Sequence, residues 1–337
     1  MKRYLGLDIG GAHIKIAVMS TSESGRTWQV DCIPVRADKF AASLDQILSM
    51  LVGEHLVDVT IASQTACLLY DDIHQGTTTI MQTLARYSTR NPTLAVDVCG
   101  NLYPINNVAQ APERFVCSNV AVTASLVAKL CSNALVLDMG STSTDLIPIV
   151  DGTFEELLPT ARLLSSAVLY LGVIRTPLQA VVSHLPYQGE LLPVVGETIA
   201  AVADALVLTE DVSIDQYTMP TWDSGTKDVA GCTRRLAKLI AMNTHNFPQQ
   251  AATFMAQYVR EELLHKVVAA MYKVISKNPA MQQAFYTGIG SSILATACDR
   301  LGIRSDRLEK VLGLPLGIEY TPAVGACLLL ELTGEGT

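Results

Sequence analysis

The sequence predicts an α/β protein of two domains, and three observations carry that prediction. Its 337 residues are about twice a common domain length. Hydrophobic residues make up 49% of the chain and charged residues only 17%, which supplies two cores and speaks against disorder. Third, one design occurs twice. Leu5-Gly6-Leu7-Asp8-Ile9-Gly10-Gly11-Ala12-His13-Ile14-Lys15-Ile16 and Ala134-Leu135-Val136-Leu137-Asp138-Met139-Gly140-Ser141-Thr142-Ser143-Thr144-Asp145-Leu146-Ile147 both read as apolar strand, Asp, apolar residue, Gly, small turn and second strand. Each is a β-hairpin whose bend sets N–H groups and hydroxyls beside a carboxylate. Two such hairpins facing each other form a clamp for a phosphate chain and its magnesium ion.

Taken in order, residues 4–9, 13–19 and 28–35 read as strands of an antiparallel meander. Ala41, Leu44, Ile47, Leu48 and Leu51 have helical spacing over 41–53. Residues 57–62 form a short β-branched strand of the kind buried in parallel sheets. A helix at 76–90, a strand at 93–98 and a turn at Cys99-Gly100-Asn101 follow. The small-residue helix 119–131 leads into strands 134–139 and 144–150. Asp151-Gly152 is a hairpin signal, with a return strand expected at 153–158. A helix at 197–208 precedes the charged segment 209–228, broken by Pro220 and Gly225, which reads as a surface excursion near the substrate end. Helices are expected at 227–243 and 249–277. In the longer one, Met255, Val259, Leu263 and Val267 form a core stripe; in the shorter, Arg234, Arg235 and Lys238 read as a solvated face. The strand through Thr287, then Gly288-Ile289-Gly290, then a helix at 292–301 leaves N–H groups and a positive dipole end outward, which suits a phosphate or nucleotide. A small-residue helix at 321–332 comes last.

The formal charge of -8 disfavours nucleic acid and anionic membranes as partners. Eight scattered cysteines without a CxxC pair read as reduced thiols of a cytoplasmic protein. Asp8, Gly10, Gly11, His13 and Lys15 interrupt any secretory apolar stretch at the start. No apolar run reaches the roughly 18 residues of a membrane span. The histidines have no metal-ligand spacing, and no GxSxG or P-loop signature occurs.

The two Asp-Gly hairpins, the small-residue helix before the second, the late Gly-x-Gly and the final small-residue helix occur in one order. That order resembles the actin, hexokinase and Hsp70 ATPase superfamily. The resemblance implies a two-domain ribonuclease H-like fold with a central cleft. It divides the chain into a first domain at 1–118, a second at 119–320, and a connecting helix at 321–337 returning to the first. Asp138–Asp145, Gly172-Val173-Ile174-Arg175-Thr176-Pro177 and the Arg234-Arg235-Leu236-Ala237 helix resemble the hydantoinase A and oxoprolinase branch. The length and the opening Gly6–Ala12 stretch are similar to its methanofuran-biosynthesis furan-methanamine synthases, associated with tetrahydromethanopterin-linked one-carbon transfer. Those enzymes join γ-glutamyltyramine to an aminomethylfuran methyl diphosphate, forming an aryl ether and releasing diphosphate.

On that resemblance Asp8 and Asp138 are the magnesium partners. Gly10, Gly11, Gly140, Ser141, Thr142 and Thr144 line the diphosphate, while Thr287, Gly288 and Gly290 match the adenosine motif. Lys15 either neutralises a phosphate or is a strand-surface lysine. Asp8 or Asp145 takes the phenol proton, or Asp145 caps its hairpin. Arg175 grips phosphate or a substrate carboxylate unless it serves a structural ion pair, and His13 faces the substrate or the interior. The expected partners are small molecules, a phosphorylated furan and a phenolic amine conjugate; self-association stays open. So does ATP, because a kinase or an ATP-dependent amide-ring hydrolase of the same fold would use the same clamp. A non-catalytic scaffold is the third reading, and intact Asp8 and Asp138 speak against it.

Overall fold

Alternating apolar residues fold the start of the chain into a meander. The computed structural model describes residues 2–10, 13–34, 40–52, 58–63, 70–87, 93–155, 159–315, 317 and 319–333. Strand β1 (Lys2–Ile9) pairs antiparallel with β2 (His13–Ser22), and β2 with β3 (Gly25–Pro34). Helix α1 (Phe40–Val52) then carries the chain to β4 (Asp58–Ser63), parallel to β1. Helix α2 (Ile73–Tyr87) leads to β5 (Thr93–Val96), parallel to β4, and β6 (Leu102–Pro104) closes the edge. Parallel neighbours need such helical crossovers. The core sets Leu5, Leu7, Ile9, Ile14 and Ile16 against Leu44 and Ile47 of α1 and Ile80, Met81 and Leu84 of α2. Helix α3 (Asn119–Leu130) follows.

The second half repeats the plan. Strands β7 (Ala134–Met139) and β8 (Thr144–Ile149) form the hairpin, and α4 (Pro159–Ser165) leads to β9 (Val168–Leu169). A small hairpin, β10 (His184–Tyr187) and β11 (Glu190–Pro193), precedes helices α5 (Val202–Leu208), α6 (Val229–Leu239) and α7 (Gln249–Lys277). Then come β12 (Gln283–Thr287), α8 (Ser291–Leu301), β13 (Arg304–Arg307) and α9 (Leu308–Val311). The two sheets run β3-β2-β1-β4-β5-β6 and β13-β12-β7-β8-β9. Numbered from its own hairpin, each has its third, second, first, fourth and fifth strands side by side. In each, the fourth lies parallel to the first and the fifth parallel to the fourth. The duplication is therefore one of topology as well as of sequence, and it makes both halves ribonuclease H-like.

Helix α10 (Pro322–Thr333) ends the described chain and packs on β1, β2, β4 and α3. A Cβ at Gly6 would lie 1.9 Å from the Ala323 carbonyl oxygen, so glycine there is what lets α10 approach β1. One unit comprises residues 1–134, 149–159 and 312–337, the other 135–148 and 160–311. Helix α3, expected to open the second domain, belongs to the first unit.

Other differences have local causes. In place of a return strand at 153–158 there is a single bridge, Val150 to Thr153; residues 156–158 lie outside the described residues. The helix expected from 197 starts at Val202, because Ala201 bridges Pro177 in extended conformation and its N–H donates to Asp204 Oδ2 at 2.8 Å. Segment 209–228 is irregular as expected, but it is not a surface excursion throughout: Val212 and Tyr217 are buried. Arg235 is not on a solvated face. It is fully buried, with Nε donating to Asp204 Oδ1 at 2.9 Å and Nη1 to Asp223 Oδ1 at 3.2 Å. The core stripe of α7 stands, with Met255, Val259, Leu263 and Val267 all buried.

Candidate functional site

Each hairpin ends in a turn closed by the same bond. In the first, the Gly10 N–H donates to the His13 carbonyl at 2.9 Å, which brings Asp8 opposite Lys15. Asp8 is buried, and its Oδ2 accepts from Lys15 Nζ at 2.9 Å. Lys15 is thus more than a strand-surface lysine: its ammonium sits on the turn's own carboxylate. His13 is buried at the start of β2. Gly11 lies outside the described residues.

In the second turn the Gly140 N–H donates to the Ser143 carbonyl at 2.9 Å. The equivalence places Asp145 where the first hairpin has Lys15, so the charge at that position is reversed. Asp145 is buried and ion-paired with Arg162 of α4, itself only 8% exposed. Ser141 and Thr142 at the tip are half-buried. Thr144 is not a tip residue: its hydroxyl is buried and donates to the Leu171 carbonyl at 2.6 Å.

The tip is held from behind by residues 172–176. Val173 N–H donates to the Gly140 carbonyl at 2.9 Å, and Ile174 and Arg175 N–H both reach the Ser141 carbonyl, at 3.0 and 2.9 Å. A Cβ at Gly172 would lie 2.4 Å from Thr142 N and C, so only glycine allows this approach. The backbone contact fixes half-buried Arg175 beside the turn. On the other side, β12 puts Thr287 in register with Asp138. The Thr287 hydroxyl points inward, donating to Glu309 Oε1 at 3.0 Å. Gly288 has φ 89°, and a Cβ there would lie 2.5 Å from Asp138 Oδ1. The Gly290 N–H donates to the Met139 carbonyl at 3.0 Å.

The Hydantoinase/oxoprolinase family model matches residues 65–314, about three quarters of the chain. The chain belongs to the hydantoinase/oxoprolinase family. It is 27% identical over 331 residues to the (4-{4-[2-(gamma-L-glutamylamino)ethyl]phenoxymethyl}furan-2-yl)methanamine synthase of Methanocaldococcus jannaschii, covering 97% of each chain. The protein of the same name from Methanococcus vannielii is 26% identical over 171 residues, 50% of this chain and 76% of that one. Among solved structures, the activator of the 2-hydroxyisocaproyl-CoA dehydratase from Clostridium difficile with bound ADPNP aligns over 99% of this chain and 98% of its own. It is 10% identical, with a TM-score of 0.46.

In this hydantoinase/oxoprolinase protein the expected residues gather around two turns. Asp8, Gly10, His13 and Lys15 share the first, in one unit. Asp138, Gly140, Ser141, Thr142, Asp145, Arg175, Gly288 and Gly290 share the second, in the other. Arg162, the buttressing role of Gly172, and Glu309 were not foreseen from the sequence. The pattern Gly172-x-x-Arg175 carried a signal for the second of these, but nothing local ties Arg162 to Asp145. Among the described residues no group of three or more His, Cys, Asp or Glu side chains stands ready for a metal. Magnesium nevertheless fits the donor chemistry, because it binds through one or two carboxylates plus substrate phosphate oxygens and keeps several waters. The space that glycine leaves at 288 borders the Asp138 carboxylate. No helix among the described residues is long and apolar enough to cross a membrane.

Proposed function

We propose that this chain is a transferase of coenzyme biosynthesis, in methanofuran-type assembly. It joins the phenol oxygen of γ-glutamyltyramine to the methylene of an aminomethylfuran methyl diphosphate. The methylene–oxygen bond to diphosphate breaks, the aryl ether bond forms, and the phenol proton passes to the departing diphosphate or to water. The observation that carries this reading is the match, over 97% of both chains, to a synthase named for a phenoxymethyl-linked furan.

The site chemistry agrees with a diphosphate leaving group. Its departure needs donors aimed at the charge that develops. Each turn by itself offers such groups: Gly10 gives close backbone approach and Lys15 a cation in the first, and Gly140 gives close approach, Ser141 and Thr142 hydroxyls and Arg175 a cation in the second. Magnesium, held by Asp138 and the diphosphate oxygens, would add charge neutralisation. Asp8 and Asp145 each already carry a cation partner. They are therefore assigned to holding the turns, and the phenol proton leaves as the furan methylene takes up positive charge. A cytoplasmic setting and small-molecule partners belong to the same reading.

The test is to incubate the full chain with both substrates and magnesium and to follow the ether by mass and diphosphate release in parallel. Both products are expected, in equal amounts. The Gly-x-Gly beside Asp138 favours one rival, an ATP-using kinase or hydrolase of the same fold. Tight magnesium-ATP binding, with hydrolysis stimulated by a small molecule and no ether, would establish that rival and sink the transferase.

A further inference from the structure

A concavity lies in the unit that carries the Asp138 turn. Its volume is about 690 Å³, and it is lined by Leu208, Glu210 and Asp211 after α5 and by Thr253, Gln257 and Arg260 along α7. One wall is rigid. Asp211 accepts from Arg260 Nε at 2.8 Å, from the Thr209 hydroxyl at 2.6 Å and from the Ser292 hydroxyl at 2.8 Å. Arg260 Nη2 also donates to Thr296 Oγ1 at 3.2 Å. Ser292 belongs to the first turn of α8, which starts directly after Gly288-Ile289-Gly290, so the cavity shares a helix with the Gly-x-Gly. Glu261 at the rim is ion-paired with Arg300.

Every charge on that wall is matched. What remains is Glu210, exposed, with Thr253 and Gln257 of α7 in the same lining. None of these three side chains has a hydrogen bond or ion pair within the described residues. They amount to one uncompensated carboxylate, one hydroxyl oxygen and one carboxamide oxygen around a cavity that Leu208 also lines. A primary ammonium carries three N–H donors and no acceptor, and it matches this set in both charge and number. A cavity of this volume is in the range that holds a whole small molecule.

We propose that this cavity binds the ammonium-bearing end of a substrate, with Glu210 as its counter-ion and Thr253 and Gln257 completing the donor set. The identity of that substrate rests on the proposed function, where two sources exist: the aminomethyl group of the furan and the α-ammonium of the glutamyl tail.

Binding by titration calorimetry to the full chain tests it, with furfurylamine and γ-glutamyltyramine as probes and their N-acetyl derivatives as controls. One amine should bind, and its acetylated form should bind at least about tenfold more weakly, the scale of a charge-assisted hydrogen bond. Which amine binds identifies the source. Glu210→Gln should reproduce that loss with an unchanged melting temperature, and Thr253→Val should give a smaller one. Equal binding of amine and acetyl forms, or no effect of Glu210→Gln, overturns the proposal. So does a loss of magnesium-ATP affinity in Glu210→Gln without any loss for the amines, which would make this a nucleoside cavity. Amine binding that depends on Glu210 without ether formation would sustain the cavity and defeat the reaction. Ether formation with an unchanged KM in Glu210→Gln would do the reverse.

Discussion

Gly172→Ala is the sharpest single perturbation of the second turn. The added Cβ would sit 2.4 Å from Thr142 N and C and 2.6 Å from Ser141 C, all backbone atoms that cannot swing aside. Ordinary contact begins near 3.4 Å, so segment 172–176 and the turn must part by about 1 Å, enough to carry three bonds now at 2.9 to 3.0 Å past hydrogen-bonding range. Losing three such bonds costs about 3 kcal/mol; keeping them and absorbing the overlap costs about 1–3 kcal/mol. The expected destabilisation is therefore about 1–3 kcal/mol, or about 2–12 °C in melting temperature for a unit of this size. Gly196→Ala is the control: it lies in the same unit, with nothing within 4 Å of its Cβ position. Scanning calorimetry reads both, and magnesium-diphosphate binding reports the tip. If Gly172→Ala melts with the parent and binds diphosphate equally well, the buttress is not what holds Ser141 and Thr142.

Arg235→Met strands the buried Asp204 carboxylate and should cost about 3–5 kcal/mol in urea unfolding, whereas Arg234→Met, on the exposed side of the same helix, should stay within about 0.5 kcal/mol. Burial by itself lifts the Asp211 carboxyl, but hydrogen bonds from Arg260, Thr209 and Ser292 outweigh it and hold the group below its ordinary value. The stability margin of the parent over Asp211→Asn should therefore be full above about pH 5 and shrink as pH falls through about 4 and below; a margin that grows on acidification would contradict the clamp. Native-state alkylation at neutral pH should mark exposed Cys99 and spare Cys232, Cys298 and Cys327 until unfolding, because burial pushes those thiols up to about 12, 11 and 12. Mass mapping of the labelled peptides decides it.

Both hairpins were legible because strand alternation and an Asp-x-Gly turn are local signals, and their recurrence fixed the expectation of two similar halves. The common strand order, with the fourth strand beside the first, confirms it. What escaped was non-local. A helical wheel shows Arg234 and Arg235 as adjacent charges, and nothing on it says that only the second meets Asp204, 31 positions earlier. The same holds for Arg162 and Asp145. Thr144 and Thr287 looked like ligands because hydroxyls near a phosphate turn are common there, yet strand alternation turned both inward, onto Leu171 and Glu309. The β10–β11 hairpin did leave a trace, Gln188-Gly189 with φ of 50° and 84°, the primed-turn geometry of tight hairpins, but its strands are only four residues each.

The glycine at position 6 reserves a face of β1 for a helix made much later. Between Ala134 and Pro322 the ribosome adds 188 residues, which takes about 10–40 s at common synthesis rates. Through that interval the first sheet has its strands and helices α1 and α2 but not α10, and the second unit has received all of its chain before the first has. The half that begins synthesis is the last to finish folding. Slow codons upstream of residue 322 would prolong the exposure of nascent β1 and β2, and a chaperone that holds this chain is expected to engage it there.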